Sequence, residues 1–175
     1  MHTVPDPSAH AAWYLVHTKP RQETCALTNL ERQGYRCYLP QLRVQKIRRG
    51  RVNTVPEPLF PRYLFVHLDS SAKGQSWAPI RSTTGVNTLI HFGNQPARVD
   101  EQIVDLLRTR EQAHPGQALF NPGDTVHIQN GPFAGMEAVY QMANGEQRAL
   151  VLIELLSKPC RLAVDTVSLR KVDYQ

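Results

Sequence analysis

A change in sequence character near residue 115 divides the chain into two parts. Residues 111–118 have the sequence Glu-Gln-Ala-His-Pro-Gly-Gln-Ala, and the Pro115-Gly116 pair favours a turn over a helix or strand. Longer helix-like and strand-like segments precede this break, whereas short alternating segments between glycine-containing turns follow it. We therefore predict a leader at 1–11, a first domain at 12–112, a linker at 113–118 and a second domain at 119–175.

The first domain is predicted to be an α+β sandwich, in which helices pack beside one antiparallel sheet. Trp13–His17 and Tyr63–Leu68 are rich in aromatic and β-favouring residues, which predicts strands. Pro20 suits the first turn of an intervening helix, and Gly34 is a natural end for it. Further predicted elements are strands at 35–39 and 86–92, a short helix at 77–81 and a last helix after Asp100.

A strongly basic hairpin is predicted between these strands. Residues 42–55 alternate loosely between apolar and polar types on either side of Arg49-Gly50, which is typical of a β-hairpin. A tip this basic cannot be a core element, because buried charges need partners. The cationic residues of the tip are Lys46, Arg48, Arg49 and Arg51.

Basic residues are concentrated in the first part of the chain. Residues 1–115 hold 15 Lys+Arg and 9 Asp+Glu, a net charge of +6, whereas residues 116–175 hold 5 and 6, a net charge of −1. This imbalance indicates that the first domain contacts a polyanion, with nucleic acid the first candidate. A basic surface that serves solubility alone is the alternative.

The second domain is predicted to be a small β-barrel. Its short strands are separated by turns that contain glycine or proline, a pattern that favours closed all-β folds. A segment of about 55 residues buries little core and is marginally stable alone. The strands are predicted at 126–128, 137–141, 150–156 and 163–172, with turns at 121–124, 130–135 and 144–145.

Composition argues against an enzyme, a metal site and a membrane protein. Cys25, Cys37 and Cys160 lack metal-ligand spacing and are expected to be reduced thiols, and no glycine loop or third partner supports a Cys–His nucleophile. We predict no metal and no cofactor. No apolar run approaches the ~20 residues of a membrane span, and the N-terminus lacks signal-peptide features. We therefore expect a cytoplasmic monomer.

Three stretches carry motifs that occur together in one family. The first is Trp13-Tyr-Leu-Val-His-Thr-Lys-Pro-Arg-Gln-Glu23. The second is Pro58-Leu-Phe-Pro-Arg-Tyr-Leu-Phe-Val66, followed by Trp77-Ala-Pro-Ile-Arg-Ser-Thr-Thr-Gly-Val86. The third, Pro122–Gly135, looks like a KOW motif. In this order they resemble the NusG family of transcription factors, which implies an N-terminal domain that binds RNA polymerase and a C-terminal KOW barrel.

Within the family, the chain looks closer to the RfaH-like specialised branch than to the general factor. The basic hairpin that runs into Glu57-Pro-Leu-Phe-Pro61 and the segment 144–158 support this similarity. The resemblance implies that the C-terminal domain can also fold as an α-helical hairpin that covers the polymerase-binding face. It also implies an interdomain ion pair between Glu57 and Arg148.

The composition of Gln147–Ser157 leaves both C-terminal folds open. Arg, Ala, Leu and Glu favour a helix, whereas Val and Ile favour a strand. Pro159 would stop or kink a helix that runs through it. A permanently folded barrel on a flexible linker is therefore the alternative to a closed, autoinhibited state.

The resemblance also implies positions for the binding residues. Tyr63 and Phe65 share one face of their strand and are favoured for docking onto the polymerase clamp helices. Cys25 and Asn29 stand where RfaH-like proteins are expected to have DNA-contacting Arg and His. The predicted polymerase-binding residues are Tyr63, Phe65, Leu89 and Ile90. Those predicted to contact the non-template DNA strand are Lys19, Arg21, Asn29, Arg32 and Arg36.

The C-terminal domain is expected to bind protein. The family implies a small-subunit ribosomal protein as partner, and the terminator Rho for general factors; the sequence leaves the Rho question open. Two alternatives remain, a general NusG-type factor without autoinhibition and a KOW-type RNA-binding or ribosomal protein. The C-terminal net charge of −1 argues against RNA binding. The predicted partner-binding residues are Phe133, Val151, Ile153 and Leu156.

Overall fold

The computed structural model describes residues 10–113, 126–127, 135–136, 138–140, 142–157 and 170–171. The chain separates into two compact units, one made of Met1–Leu39 and Arg62–Glu101, the other of Pro40–Pro61 and Gln102–Gln175. The hairpin therefore groups with the C-terminal residues, whereas the sequence prediction assigned it to a domain at 12–112. Among the described residues, no helix has the length and apolarity of a bilayer span.

Regular elements occupy most of the described chain. The strands are β1 (Ala11–Thr18), β2 (Arg36–Tyr38), β3 (Gln41–Arg48), β4 (Arg51–Pro58), β5 (Tyr63–Asp69), β6 (Val86–Leu89), β7 (His91–Phe92), β8 (Gln95–Pro96), β9 (Arg98–Val99), β10 (Val126–His127) and β11 (Arg170–Lys171). The helices are α1 (Glu23–Arg32), α2 (Glu101–Ala113) and α3 (Gly145–Ser157), with a 3-10 turn at Ala78–Ser82.

The first unit is built on an antiparallel sheet with strand order β2–β5–β1–β6, and β9 also pairs with β1. β1 and β5 pair along seven residues, from Ala11 opposite Asp69 to His17 opposite Tyr63. The central strand is buried almost throughout, which fits its run of aromatic and β-branched residues. The predicted sheet with a packed helix is therefore confirmed for this unit.

Helix α1 packs on one face of this sheet. Ala26 and Leu30, one helical turn apart, are fully buried in a cluster with Val16, Leu64 and Val66. The helix ends before Gly34, whose φ of +92° is the left-handed conformation that terminates helices. Because strand side chains alternate between faces, residues such as Phe65 lie on the opposite face of the sheet.

The β3–β4 hairpin belongs to the second unit and is paired along its whole length, from Gln41 opposite Pro58 to Arg48 opposite Arg51. Arg49 and Gly50 form its turn with φ of +52° and +74°. Two positive φ values are typical of the type I′ turn, whose twist matches that of the strands. The predicted basic hairpin and the position of its turn are confirmed.

The C-terminal residues that the structure describes differ from the predicted barrel strands. Residues 145–157 form helix α3, and residues 135–136 and 138–139 are also helical, where strands at 150–156 and 137–141 were expected. Asn144 caps α3, since its Oδ1 accepts from the Glu146 and Gln147 amides at 2.8 and 3.3 Å. β10 pairs with β11 near the predicted first and last strands. The remaining predicted barrel segments and the turn at 130–134 lie outside the described residues.

Candidate polymerase and nucleic-acid interfaces

Aromatic side chains line the face of the first unit's sheet opposite α1. Phe65 stacks on Tyr38 with ring centroids 6.2 Å apart, and Tyr63 lies 5.0 Å from the His17 ring. Trp13 meets His67 edge-on at 5.0 Å. Tyr63 is half-buried, whereas Phe65 is fully buried in the chain. We call this row of six side chains, Trp13, His17, Tyr38, Tyr63, Phe65 and His67, the aromatic face.

The other two predicted polymerase contacts fall on different sides of the sheet. The Ile90 amide donates to the Leu15 carbonyl at 2.9 Å, so Ile90 lies beside the aromatic face and is half-buried. Leu89 pairs with Val16 and belongs to the cluster under α1, with 6% of its surface exposed. The structure therefore separates Leu89 from Tyr63, because one step along a strand reverses the side chain.

The predicted DNA-binding residues divide in a similar way. Lys19 and Arg21 lie in the exposed loop between β1 and α1, and Arg32 is exposed in the last turn of α1. Arg36 instead places its guanidinium 5.2 Å from the Trp13 ring centroid, next to the aromatic face. It therefore does not join the cations around α1, since it takes part in a cation–π contact at the edge of the sheet.

Asn29 holds α1 to the loop before β6. Its Nδ2 donates to the Thr84 carbonyl at 3.1 Å and approaches the Cys25 Sγ at 3.4 Å. The amide donor is therefore already used within the protein. The Cys25 thiol is exposed on the same helical surface, one turn before Asn29.

Arg62 is a cation of this region that the sequence analysis did not identify. Its backbone amide donates to the Glu23 carboxylate at 3.0 Å, and its Nε donates to the Thr18 carbonyl at 3.2 Å. Its φ of +71° is unusual for a side-chain-bearing residue and is fixed by these contacts. Arg62 therefore positions the start of the Lys19–Arg21 loop. The only sequence signal for it was its place in the quoted Pro-Arg-Tyr motif.

Stability of the first unit is expected to fall as the pH drops below 6.5. Burial, and then the charge of Arg62, lower the pKa of His17 below its ordinary value of 6.5. The unfolded chain therefore takes up the His17 proton before the folded chain does, and the free energy of unfolding decreases between pH 6.5 and the lowered pKa. Chemical denaturation across this range should show a shallower decrease for His17→Gln.

The exposed Gln95, which has no titratable group, provides the control for this pH effect. Gln95→Ala should retain the pH dependence of the wild type. Equal pH dependence in the wild type and His17→Gln would contradict the assignment to His17.

Glu57 and Arg148 are brought together within the second unit. Arg148 is fully buried, and its Nη2 lies 3.1 Å from Glu57 Oε1. Its Nε donates to the Leu59 carbonyl at 2.7 Å, and its Nη1 donates to the Met142 and Ala143 carbonyls at 2.8 and 3.2 Å. Every nitrogen of the guanidinium thus has a partner, which is what a buried charge requires.

The three predicted C-terminal contact residues that the structure describes do not all share one face. Val151, Ile153 and Leu156 are half-buried on α3. Residues two apart share a face in a strand but lie about 200° apart around a helix. The helix therefore separates Val151 from Ile153, and Phe133 lies outside the described residues.

Thiol chemistry at Cys37 is disfavoured in this fold. Burial, and then the charge of Glu31, raise the pKa of the Cys37 thiol to about 12. The thiolate is the reactive form, so this side chain is a poor nucleophile near neutral pH. Within the described parts of the chain, no group of three His, Cys, Asp or Glu residues is placed to hold a metal ion.

Comparisons with known proteins agree on one family. The family model described as transcription termination factor nusG matches residues 11–108. The transcription termination/antitermination protein NusG of Thermus thermophilus is 25% identical over 173 residues, which cover 87% of this chain and 94% of that protein. The Streptomyces coelicolor protein of the same name is 25% identical over 187 residues, which cover 89% of this chain and 62% of that protein.

Among solved structures, one described as domain interaction in Thermotoga maritima NusG is similar. It has a TM-score of 0.44 and 23% sequence identity, and the match covers 70% of this chain and 75% of that one. The family match extends from β1 through most of α2 and includes the aromatic face and the Lys19–Arg21 loop. Since it covers more than half of the chain, the chain belongs to the NusG family of transcription termination factors.

Proposed function

We propose that this protein is an elongation and antitermination factor that binds the clamp helices of RNA polymerase through its aromatic face. The observation that carries the proposal is the row of aromatic side chains on the face of the sheet opposite α1. Aromatic anchors in apolar patches supply most of the binding energy of protein interfaces. Tyr63 and Ile90, both half-buried, are the proposed contacts. Phe65, which has no exposed surface in this structure, would join them only once it is uncovered, and Leu89 supports them from the other side of the sheet.

The cations around α1 form the proposed contact with the non-template DNA strand. Lys19, Arg21 and Arg32 are exposed, and the loop before α1 is fixed by Arg62. Lysine and arginine on phosphates supply affinity without sequence preference. Because the Asn29 amide donor is occupied by Thr84, this surface fits backbone contact better than recognition of a base by Asn29.

Helix α3 is proposed to restrain polymerase binding until it is released. Arg148 anchors the start of the helix on Glu57, near the end of β4, and on Leu59 just beyond that strand. The sequence of α3 suits a helix and a strand nearly equally, so the helical form depends on such tertiary contacts. After release, the C-terminal residues would form the KOW barrel and recruit a small-subunit ribosomal protein.

Polymerase binding should weaken about tenfold in full-length Tyr63→Ala, which removes a half-buried ring of the aromatic face. Titration of fluorescent protein with core RNA polymerase measures this directly. Phe92→Ala is the matched control, because Phe92 is also half-buried but lies outside the aromatic face. Equal losses of affinity in Tyr63→Ala and Phe92→Ala would overturn the proposal. So would the absence of polymerase binding in both the wild type and Arg148→Gln, a variant in which α3 is released.

The same titration separates restraint from recruitment. Full-length Arg148→Gln breaks the anchor of α3 and should bind polymerase several-fold more tightly than the wild type. If its affinity equals that of the wild type, α3 does not mask the polymerase-binding face. Polymerase binding through Tyr63 would then stand without autoinhibition.

A general factor without autoinhibition is the second candidate. The relatives named above are described as termination/antitermination proteins. The Arg148→Gln titration distinguishes the two functions, since a general factor shows no gain in affinity.

A further inference from the structure

The β3–β4 hairpin has two chemically different faces at its tip. Each strand has eight residues, which gives a ribbon about 25 Å long. Arg48 lies opposite Arg51 on one face, and Lys46 lies opposite Asn53 on the same face. Ile47 lies opposite Val52 on the other face.

The cationic face contains a concentration of positive charge that the described chain does not neutralise. Arg48 and Arg51 are a directly opposed like-charge pair, which destabilises a hairpin. Among the described residues, neither forms an ion pair with a carboxylate, and the adjoining Lys46 reaches Glu57 only at 3.7 Å. Arg48, Arg49, Arg51 and Asn53 line an exposed hollow of about 920 Å³. An anionic ligand would relieve this repulsion.

The apolar face is equally unusual for a surface. Ile47 is 77% exposed and Val52 is 61% exposed, and as cross-strand neighbours they form one apolar pair. β-Branched residues favour strands. Two such side chains that remain exposed at the tip of a hairpin bury little apolar surface on folding, however, and so add little stability. They therefore suit a partner that offers an apolar surface beside its negative charges.

We propose that the hairpin tip is a binding site for double-stranded DNA, separate from the cations around α1. A two-stranded β-ribbon fits the major groove of B-form DNA, where phosphates border base edges and thymine methyl groups. Arg48, Arg49 and Arg51 bind backbone phosphates, and the Ile47–Val52 pair contacts the apolar groups of the groove. The major groove of A-form RNA is too deep and narrow for this contact. An acidic protein surface offers negative charge but no matching groove.

The test is fluorescence anisotropy of full-length protein with a labelled mixed-sequence duplex of about 20 base pairs, over a range of salt. Changing Arg48, Arg49 and Arg51 together to Gln should weaken binding more than tenfold near 50 mM salt. The slope of log affinity against log salt should decrease by about one for each arginine that contacts phosphate. The Ile47→Thr/Val52→Thr variant keeps its charge and β-branching, so its affinity should fall about fivefold with an unchanged slope.

Two controls decide the outcome. Lys73, Arg81 and Arg98, all exposed and outside the hairpin, are changed together to Gln to match the lost charge. The wild type is also titrated with single-stranded DNA and with duplex RNA of the same length. If the triple variant does not fold, the single variants Arg48→Gln and Arg51→Gln replace it. Each should decrease the slope of log affinity against log salt by about one.

Preference for duplex DNA, with a larger loss in the hairpin variant than in the charge-matched control, supports the site. Equal losses in the two triple variants overturn it, as does an equal dependence of single-strand or RNA binding on the hairpin arginines. No polymerase is present in these titrations. Failure of this site is therefore distinguishable from failure of the proposed polymerase contact.

Discussion

Replacing Arg148 by methionine is expected to lower the free energy that holds α3 in place by about 3 kcal/mol. The change removes a fully buried cation and leaves the Glu57 carboxylate and three backbone carbonyls without their donor. Removing one partner of a buried pair leaves the other charge uncompensated, which costs about 3–5 kcal/mol. Glu57 is 29% exposed and keeps Lys46 nearby, so the lower end of that range applies.

Hydrogen exchange of the α3 amides measures this effect locally. A loss of about 3 kcal/mol corresponds to a decrease in protection of roughly a hundredfold, because 1.4 kcal/mol is a factor of ten in an equilibrium constant. Gln147→Met is the control, since Gln147 is the exposed neighbour of Arg148 in the helix. Glu57→Gln should have a smaller effect than Arg148→Met, because it removes the charge of one of the four acceptors of the guanidinium and keeps all four oxygens. Equal protection in Arg148→Met and Gln147→Met would show that the buried guanidinium does not stabilise the helix.

Gly85→Ala is expected to destabilise the first unit by about 2–4 kcal/mol. The residue has a φ of +93°, and a Cβ at this position would lie 2.8 Å from the Ala26 amide nitrogen and 3.1 Å from the Ala26 Cα. These are backbone atoms in the middle of α1, so relief requires the whole helix to move away from the sheet. Thermal denaturation of the variant should show a decrease in Tm of several degrees or more.

Gly93→Ala separates the steric cost from the backbone cost. Gly93 also has a positive φ, +63°, but a Cβ there would have no neighbour within 4 Å. Its replacement should cost about 1 kcal/mol, as expected for a left-handed conformation alone. If Gly85→Ala and Gly93→Ala lose the same stability, the close approach of Gly85 to α1 is not the reason that a glycine is needed at position 85.

Local patterns predicted the first unit and the hairpin well. β1, α1 and β5 follow from β-favouring runs and from the helix stop at Gly34, which act on their own neighbourhood. The predicted place of Pro20 in the first helical turn was wrong, because α1 begins only at Glu23. The hairpin turn at Arg49-Gly50 follows from alternation on both sides of it. Such signals need no knowledge of the rest of the chain.

Residues whose surroundings depend on distant partners were harder to predict. Leu89 and Arg36 were placed with residues from which the strand register separates them. The helix over 145–157 could not be decided from composition, because its buried Arg148 has partners about 90 positions away in sequence. Arg62 looked like part of a motif, and its contacts with Thr18 and Glu23 exist only after folding.

The Glu57 carboxylate divides its two oxygens between different surroundings. Oε1 meets Arg148, whose side chain has no exposed surface, whereas Oε2 faces Lys46, whose side chain is 59% exposed. Mobile ions screen the exposed pair and have little access to the buried one. An increase in ionic strength should therefore weaken the ion pair between Glu57 and Lys46 and leave the ion pair between Glu57 and Arg148 nearly unchanged. One acidic side chain thus lets the basic ribbon respond to its ionic environment while the anchor of the helix does not.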